Sequence, residues 1–221
     1  MFTPRIEILP GPQRRLWGEL SATPDAFTLY GGTAIALRLG HRFSVDFDFF
    51  SPAPFAPAEL MAEIRYLEGA TLQRMEPNTL TVMIERDGPV QLRFLGGLRF
   101  GQVEPHEIVE GPGFNVASLV DLAGTKVATV TQRVETKDYL DIHALLKQGR
   151  IPLPVMLAAA SIIYGEQFNP LVSLKAICYH HDLPAAGFSD GLRRDLVAAV
   201  RNVDPASLPK LDAVRAWRTL T

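Results

Sequence analysis

Residues 27–50, FTLYGGTAIALRLGHRFSVDFDFF, constrain the fold more than any other stretch of the chain. FTLY reads as a strand that runs straight into Gly31-Gly32-Thr33 and a helix, AIALRLG, closed by Gly40. Strand, glycine turn and helix in that order form a phosphate-handling layout, because glycine admits close approach and a helix N-terminus presents free N–H groups. From Val45 to Phe50 the residues alternate, with Asp46 and Asp48 on one face of a strand and Phe47 and Phe49 on the other. Two residues apart on a strand, the aspartates have Cα atoms about 6–7 Å apart, so both carboxylates can reach one or two hard cations. Oxygen-only donors favour Mg²⁺ over zinc, and Mg²⁺ takes one or two carboxylates plus substrate phosphates. The competing reading makes the pair the solvent face of an amphipathic strand. It must explain why aspartate, which strands disfavour, occurs twice among four phenylalanines. Gly31, Gly32 and Thr33, then Arg42-x-Ser44, then Asp46-x-Asp48 put a phosphate cradle and a carboxylate pair within 18 residues, a unit suited to a nucleoside triphosphate.

Around this unit, residues 12–20 read as a short amphipathic helix, and a Pro-rich loop after Phe50 leads into a helix near 57–68. TLQRM, TLTVMIER, the Asp87-Gly88 hairpin signal and VQLRFLGG then read as an antiparallel meander. The composition changes at Gly111-Pro112-Gly113. Beyond it the pattern predicts helices over 117–133, 136–148, 153–164, 170–180 and 189–202. The organisation is an α/β half of about 110 residues followed by a helical half.

Charge and cysteine content narrow the function classes. The 221 residues carry 22 Lys+Arg and 24 Asp+Glu, a net charge of −2, which excludes a generic polyanion binder and leaves local basic patches open. Five of the 22 are lysine, so Lys126 stands out in an arginine-rich chain. The single Cys178 excludes an intramolecular disulfide and any Cys-rich metal site, and reads as a small buried hydrophobe. No apolar run follows a basic N-terminal start, and no stretch reaches the roughly 20 residues that span a bilayer. The expectation is a soluble cytoplasmic protein with no membrane partner.

In the helical half, Lys126 and Arg133 fall within or at the edge of the apolar arc of 117–134, two turns apart, where they could receive one phosphate chain or snorkel to water. Asp138 and Asp141 lie within or at the edge of the arc of 136–148. Their plainer reading is a first-turn acid favoured by the helix dipole and an i, i+4 surface pair with Lys137. His180-His181-Asp182 reads as a helix end rather than a metal site, since adjacent residues point to different faces.

GGTAIALRLGHRFSVDFDFF resembles the signature of the nucleotidyltransferase-like AbiEii/AbiGii toxin family, within the DNA polymerase β-type nucleotidyltransferase superfamily. LVDLAGTKVATVTQRVETKDYLDIHALL resembles the same family's later motif, a Lys-containing helix, an Arg one or two turns on and a Lys-Asp-x-x-Asp helix start. The resemblance implies an α+β fold, a nucleotidyltransferase-like mixed sheet with flanking helices followed by a helical bundle. Residues 1–112 would form the nucleotidyltransferase-like domain and 113–221 a helical domain completing the active-site cleft. It implies a Mg²⁺-dependent nucleotidyltransferase of toxin–antitoxin or phage-defence type, moving NMP from an NTP to an acceptor hydroxyl. Asp46 and Asp48 would hold the metal, and Gly31, Gly32, Thr33, Arg42 and Ser44 the nucleotide. Lys126 would contact the nucleotide or transition state with Arg133, and Asp138 or Asp141 would orient it or the attacking group. An RNA 3′ end, such as that of tRNA, fits toxin relatives, whereas a protein hydroxyl or small molecule fits other superfamily members; a cognate antitoxin would be the protein partner. The chain departs from the superfamily at the third metal carboxylate: on VQLRFLGG that position holds Arg93 or, one register away, Gln91, and Glu85 on the preceding strand is a candidate substitute that no sequence signal places there. The alternative is therefore a catalytically weakened nucleotide-binding module acting through a protein partner.

Overall fold

In the computed structural model, which describes residues 1–180 and 187–215, the Asp-x-Asp segment is the fourth strand of a seven-stranded sheet. The strands are β1 (Thr28–Tyr30), β2 (Asp46–Phe50), β3 (Thr71–Glu76), β4 (Thr79–Glu85), β5 (Pro89–Leu95), β6 (Glu107–Ile108) and β7 (Asn115–Val116), in the order β3-β4-β5-β2-β1-β7-β6. β3, β4 and β5 form the expected meander, and β1 runs antiparallel to β2. β5 runs parallel to β2, so the sheet is mixed. Neither β6 nor β7 was expected; at two residues each, they carry no alternation that a sequence can display.

The register of β2 follows from its composition. Phe47 and Phe49 are fully buried with Leu29, Leu92 and Phe94, and Phe49 stacks on Phe94 at 5.4 Å between ring centroids. Each buried phenylalanine contributes about 2–3 kcal/mol. A slip of one residue would expose both rings and drive both aspartates into the core, so hydrophobic burial and carboxylate solvation select the same pairing.

Contacts divide the chain into two compact units, one of Met1–Arg99 with His106–Ala117 and the other of Phe100–Pro105 with Ser118 onward. In the first, α1 (Gly11–Leu16), α2 (Gly31–Leu39) and α3 (Pro57–Glu63) accompany the sheet. The Gly31-Gly32 pair, expected as a turn ahead of a helix, is the first turn of α2 itself, and Gly40 caps that helix in the left-handed conformation, giving its N–H to the Ala36 carbonyl. The second unit holds α4 (Leu119–Thr129), α5 (Thr136–Lys147), α6 (Leu153–Tyr164), α7 (Pro170–Cys178) and α8 (Asp190–Arg201). Phe100–Pro105 joins it because the Asp121 carboxylate accepts the backbone N–H groups of Val103 and Glu104 at 2.9 and 3.0 Å.

α4 stops at Thr129, four residues short of the expected 133. Thr129, Val130 and Thr131 form a β-branched run that disfavours helix, and the Thr129 and Thr131 hydroxyls donate to the carbonyls of Thr125 and Ala128. Arg133 thus lies beyond the helix rather than on its face, and Val134 is exposed rather than part of an apolar arc. Cys178, expected buried, is half-buried. His181 and Asp182 of the His-His-Asp run lie outside the described residues. No helix among the described residues is long and apolar enough to cross a membrane.

Candidate functional site

The polar face of β2 is the first candidate. Asp46 and Asp48 project from the face opposite the phenylalanines and are partly exposed. Parallel pairing sets Asp46 opposite Gln91 and Asp48 opposite Arg93 on β5. The Arg93 guanidinium spans the two carboxylates, donating to Asp48 Oδ1 at 3.2 Å and to Asp46 Oδ2 at 3.3 Å. It also donates to Gln91 Oε1, and Gln91 Nε2 donates to Gln73 Oε1 at 2.6 Å. Gln91 and Arg93, raised as alternatives for one position, therefore both belong to this face. Glu85 is committed elsewhere: opposite Pro89 at the hairpin end, it accepts the Gly88 N–H.

α2 brings its N-terminus onto this pair. Gly31 sits at φ +76°, and a Cβ placed there would lie 2.6 Å from Asp48 Oδ2; at Gly32 it would collide with Arg42 Nη2 and crowd Ser44 Oγ. The left-handed φ at Gly31 is what calls for glycine beside Asp48. The N–H groups of that turn have no carbonyl partner within the helix. Thr33, expected among the phosphate contacts, is buried and donates its hydroxyl to the Asp46 carbonyl, tying α2 to β2. Arg42 donates to the Phe43 carbonyl at 2.8 Å. Gly31→Ala is expected to destabilise the fold by about 1–2 kcal/mol, the cost of a side chain in a left-handed conformation, measured as a lower urea midpoint at unchanged m-value. A midpoint equal to that of the unsubstituted chain would contradict the close approach.

The second candidate lies within the helical unit. Lys126 on α4 donates to Asp138 Oδ1 and pairs with Asp141 Oδ2, both at 2.9 Å, and both carboxylates on α5 are fully buried. Arg133 closes the cluster from beyond the helix, donating through Nε to Asp138 Oδ2 at 2.8 Å and through Nη2 to Oδ1 at 3.2 Å. Lys126 and Arg133 thus meet at Asp138 although they share no helix. Lys137, the alternative partner for Asp141, pairs instead with Glu135 at 2.8 Å. Burial alone pushes the Asp138 carboxyl up, but the Arg133 hydrogen bonds and the Lys126 charge outweigh it and hold the group below the ordinary carboxylate range. Lys126, Asp138 and Asp141 are buried, and Arg133, itself partly exposed, supplies the second cation that balances the two buried carboxylates.

Among the described residues, no three His, Cys, Asp or Glu side chains gather as a metal cluster. Asp46 and Asp48 nevertheless fit a Mg²⁺ ion whose remaining ligands are phosphate oxygens and water, because the pair already aims its oxygens at one shared cation, the Arg93 guanidinium. The bridging role of Arg93 is the feature that alternation could not reveal. Its only sequence signal was a cation standing where an acid was expected.

Residues 15–217 match the family described as nucleotidyl transferase AbiEii toxin, type IV TA system. An uncharacterized protein of Aquifex aeolicus (strain VF5) is 30% identical over 131 residues, 55% of this chain and 58% of that relative, so the match spans less than two thirds of the relative's length. Among solved structures, MenT4, a nucleotidyltransferase toxin of Mycobacterium tuberculosis H37Rv, superposes with a TM-score of 0.57 at 19% identity, covering 87% of this chain and 82% of that one. At that identity the likeness is one of fold, and it matches the mixed α+β architecture of sheet and flanking helices.

Proposed function

Because the chain belongs to the nucleotidyl transferase AbiEii toxin family of type IV toxin–antitoxin systems, we propose that it transfers NMP from an NTP to an acceptor hydroxyl, with Asp46 and Asp48 as Mg²⁺ ligands. The observation that carries this reading is the convergence on one sheet face of two carboxylates already sharing a cation and a helix N-terminus that begins at the left-handed Gly31. The acceptor oxygen bonds to the α-phosphorus as its proton passes to water, the bond to the bridging oxygen breaks, and pyrophosphate leaves. Bound Mg²⁺ supplies charge neutralisation on the phosphates and lowers the pKa of the attacking hydroxyl.

The roles of the side chains follow from their chemistry. First-turn N–H groups at Gly31 and Gly32, the Ser44 hydroxyl and the Arg42 guanidinium take phosphate oxygens. Thr33 holds α2 against β2 through the Asp46 carbonyl. In the helical unit, Asp138 and Asp141 orient the Lys126 ammonium, and Arg133 shares Asp138 with it. Incubation with Mg²⁺, total tRNA and each α-labelled NTP tests the transfer directly. Label on the RNA supports it; no label on RNA, protein or small molecule contradicts it.

The proposed acceptor is an RNA, a tRNA 3′ end included, and the proposed protein partner an antitoxin; an NTP and RNA as substrates imply a cytoplasmic site of action. Support for RNA comes from α8, where Arg193, Arg194 and Arg201 are exposed along a shallow groove of about 500 Å³ with Val197 and Ala198 between them. Replacing Arg194 and Arg201 together by Glu should weaken RNA binding by about tenfold or more and flatten the slope of log K against log salt by about 1–2. Nucleotide affinity should stay constant. RNA affinity unaltered by the double substitution would remove this face from the acceptor site.

A second reading has one observation in its favour. Arg93 stands on β5 where the superfamily expectation is an acid, which fits a nucleotide-binding module that acts through its partner without turnover. In that case NTP binds and is recovered intact.

A further inference from the structure

We propose that Arg93 is a resident counter-ion that closes the Asp46–Asp48 pair to a divalent cation until a polyphosphate arrives, so that metal and nucleotide load together. This rests on the reading of that pair as Mg²⁺ ligands. Two carboxylates facing the same way on one strand repel each other unless a cation lies between them. Here the cation is built in: the parallel register of β2 and β5 sets residue 93 opposite residue 48, and the planar guanidinium reaches both carboxylates at 3.2 and 3.3 Å. Gln91, itself held by Gln73, accepts from the same guanidinium and fixes its direction. Arg93 is a preorganised member of the face rather than a stray surface arginine.

Charge then sets the order of binding. The pair with Arg93 carries a net charge of −1, a poor site for a dication that must also sit beside a guanidinium. Displacing the guanidinium into water with nothing to receive it forfeits two charge-assisted hydrogen bonds. A triphosphate changes both terms, because it is a strong bidentate acceptor for a guanidinium and brings the negative charge a metal needs. The Arg93 side chain is 38% exposed, against 26% and 19% for Asp46 and Asp48, so it can turn from carboxylate to phosphate by side-chain rotation alone. Reciprocity of linkage makes the prediction symmetrical: metal tightens nucleotide as much as nucleotide tightens metal.

Two titrations of the full chain read this out without turnover. Free Mn²⁺ followed by electron paramagnetic resonance in the absence of nucleotide should show Arg93→Gln binding Mn²⁺ about tenfold tighter than the unsubstituted protein. Adding Asp46→Asn to Arg93→Gln should abolish that gain. A non-hydrolysable NTP analogue in EDTA should bind Arg93→Gln about tenfold more weakly, since the phosphate acceptor site is lost. Arg93→Lys keeps the charge without the fork and should fall between on both titrations; it carries the test if Arg93→Gln does not fold. Unchanged Mn²⁺ affinity in the folded variant overturns the proposal. The underlying reading of the pair is judged separately, by whether the unsubstituted protein binds the Mg²⁺–analogue complex and Asp46→Asn does not.

Discussion

Asp46→Asn should lower the rate of nucleotidyl transfer by about a thousandfold or more, equivalent to about 4 kcal/mol of transition-state stabilisation, while leaving the protein folded. The two halves of this expectation have different origins. Asp46 is partly exposed, and its pairing with Arg93 at 3.3 Å is of the surface kind, worth at most about 1 kcal/mol of stability. Its value to the reaction is far larger, because the substitution leaves one anionic carboxylate, with a neutral amide oxygen beside it, to hold the ion against water. Asp48→Asn should be as severe, since Asp48 is the carboxylate against which Gly31 is packed. Single-turnover transfer of α-label, with urea unfolding of the same preparations, checks both halves. A rate within tenfold of the unsubstituted protein at normal stability would remove Asp46 from the metal site.

Lys126→Met should destabilise the protein by about 3–5 kcal/mol, the cost of removing one partner from a buried ion pair. Methionine matches the stem in length, so the loss reports the charge rather than a cavity. Asp138 keeps Arg133, but Asp141 loses the ammonium that lies 2.9 Å from its carboxylate. Adding Asp141→Asn to Lys126→Met should recover part of the loss, a non-additivity that places the two groups in one unit. The pH dependence follows from the depressed Asp138 carboxyl. A group whose folded pKa lies below its unfolded value contributes its full stability above the unfolded value, 3.8 for Asp, and loses it as pH falls through the folded value. Stability should therefore fall more steeply from about pH 4 downward in the unsubstituted protein than in Asp138→Asn. With Lys126→Met the fall should be shallower, because one of the charges holding that carboxyl down is gone and its folded pKa moves back toward the unfolded value. Parallel pH–urea curves for the two proteins would contradict the assignment of Asp138 as a charged, buried partner.

How much of this was legible in the sequence depended on the range of the interaction involved. Phe47, Phe49, Asp46 and Asp48 declare their two faces by alternation alone, and Gly40 declares a helix end, because both signals are local. Thr129 to Thr131 end α4 by equally local chemistry, but the apolar positions beyond them continued the helical period and concealed the stop. Lys126 and Arg133 were expected to share one face of one helix; they meet instead at Asp138, because a loop brings Arg133 back to α5. Arg93 lies 45 residues from Asp48, and only the parallel pairing of β2 with β5 makes them neighbours. Thr33 shows the same limit, since a hydroxyl at a helix start is as ready to hold a strand carbonyl as a phosphate. The attachment of Phe100–Pro105 to the helical unit through Asp121 had no periodic signature at all.

The most direct test of the proposed reaction measures pyrophosphate release and α-label transfer together, with Mg²⁺, RNA and NTP, in the unsubstituted protein and in Asp46→Asn. One pyrophosphate released for each monophosphate transferred, with both lost in Asp46→Asn, is the expected result. Nucleotide bound and recovered intact by the unsubstituted protein, or transfer undiminished in Asp46→Asn, would contradict it.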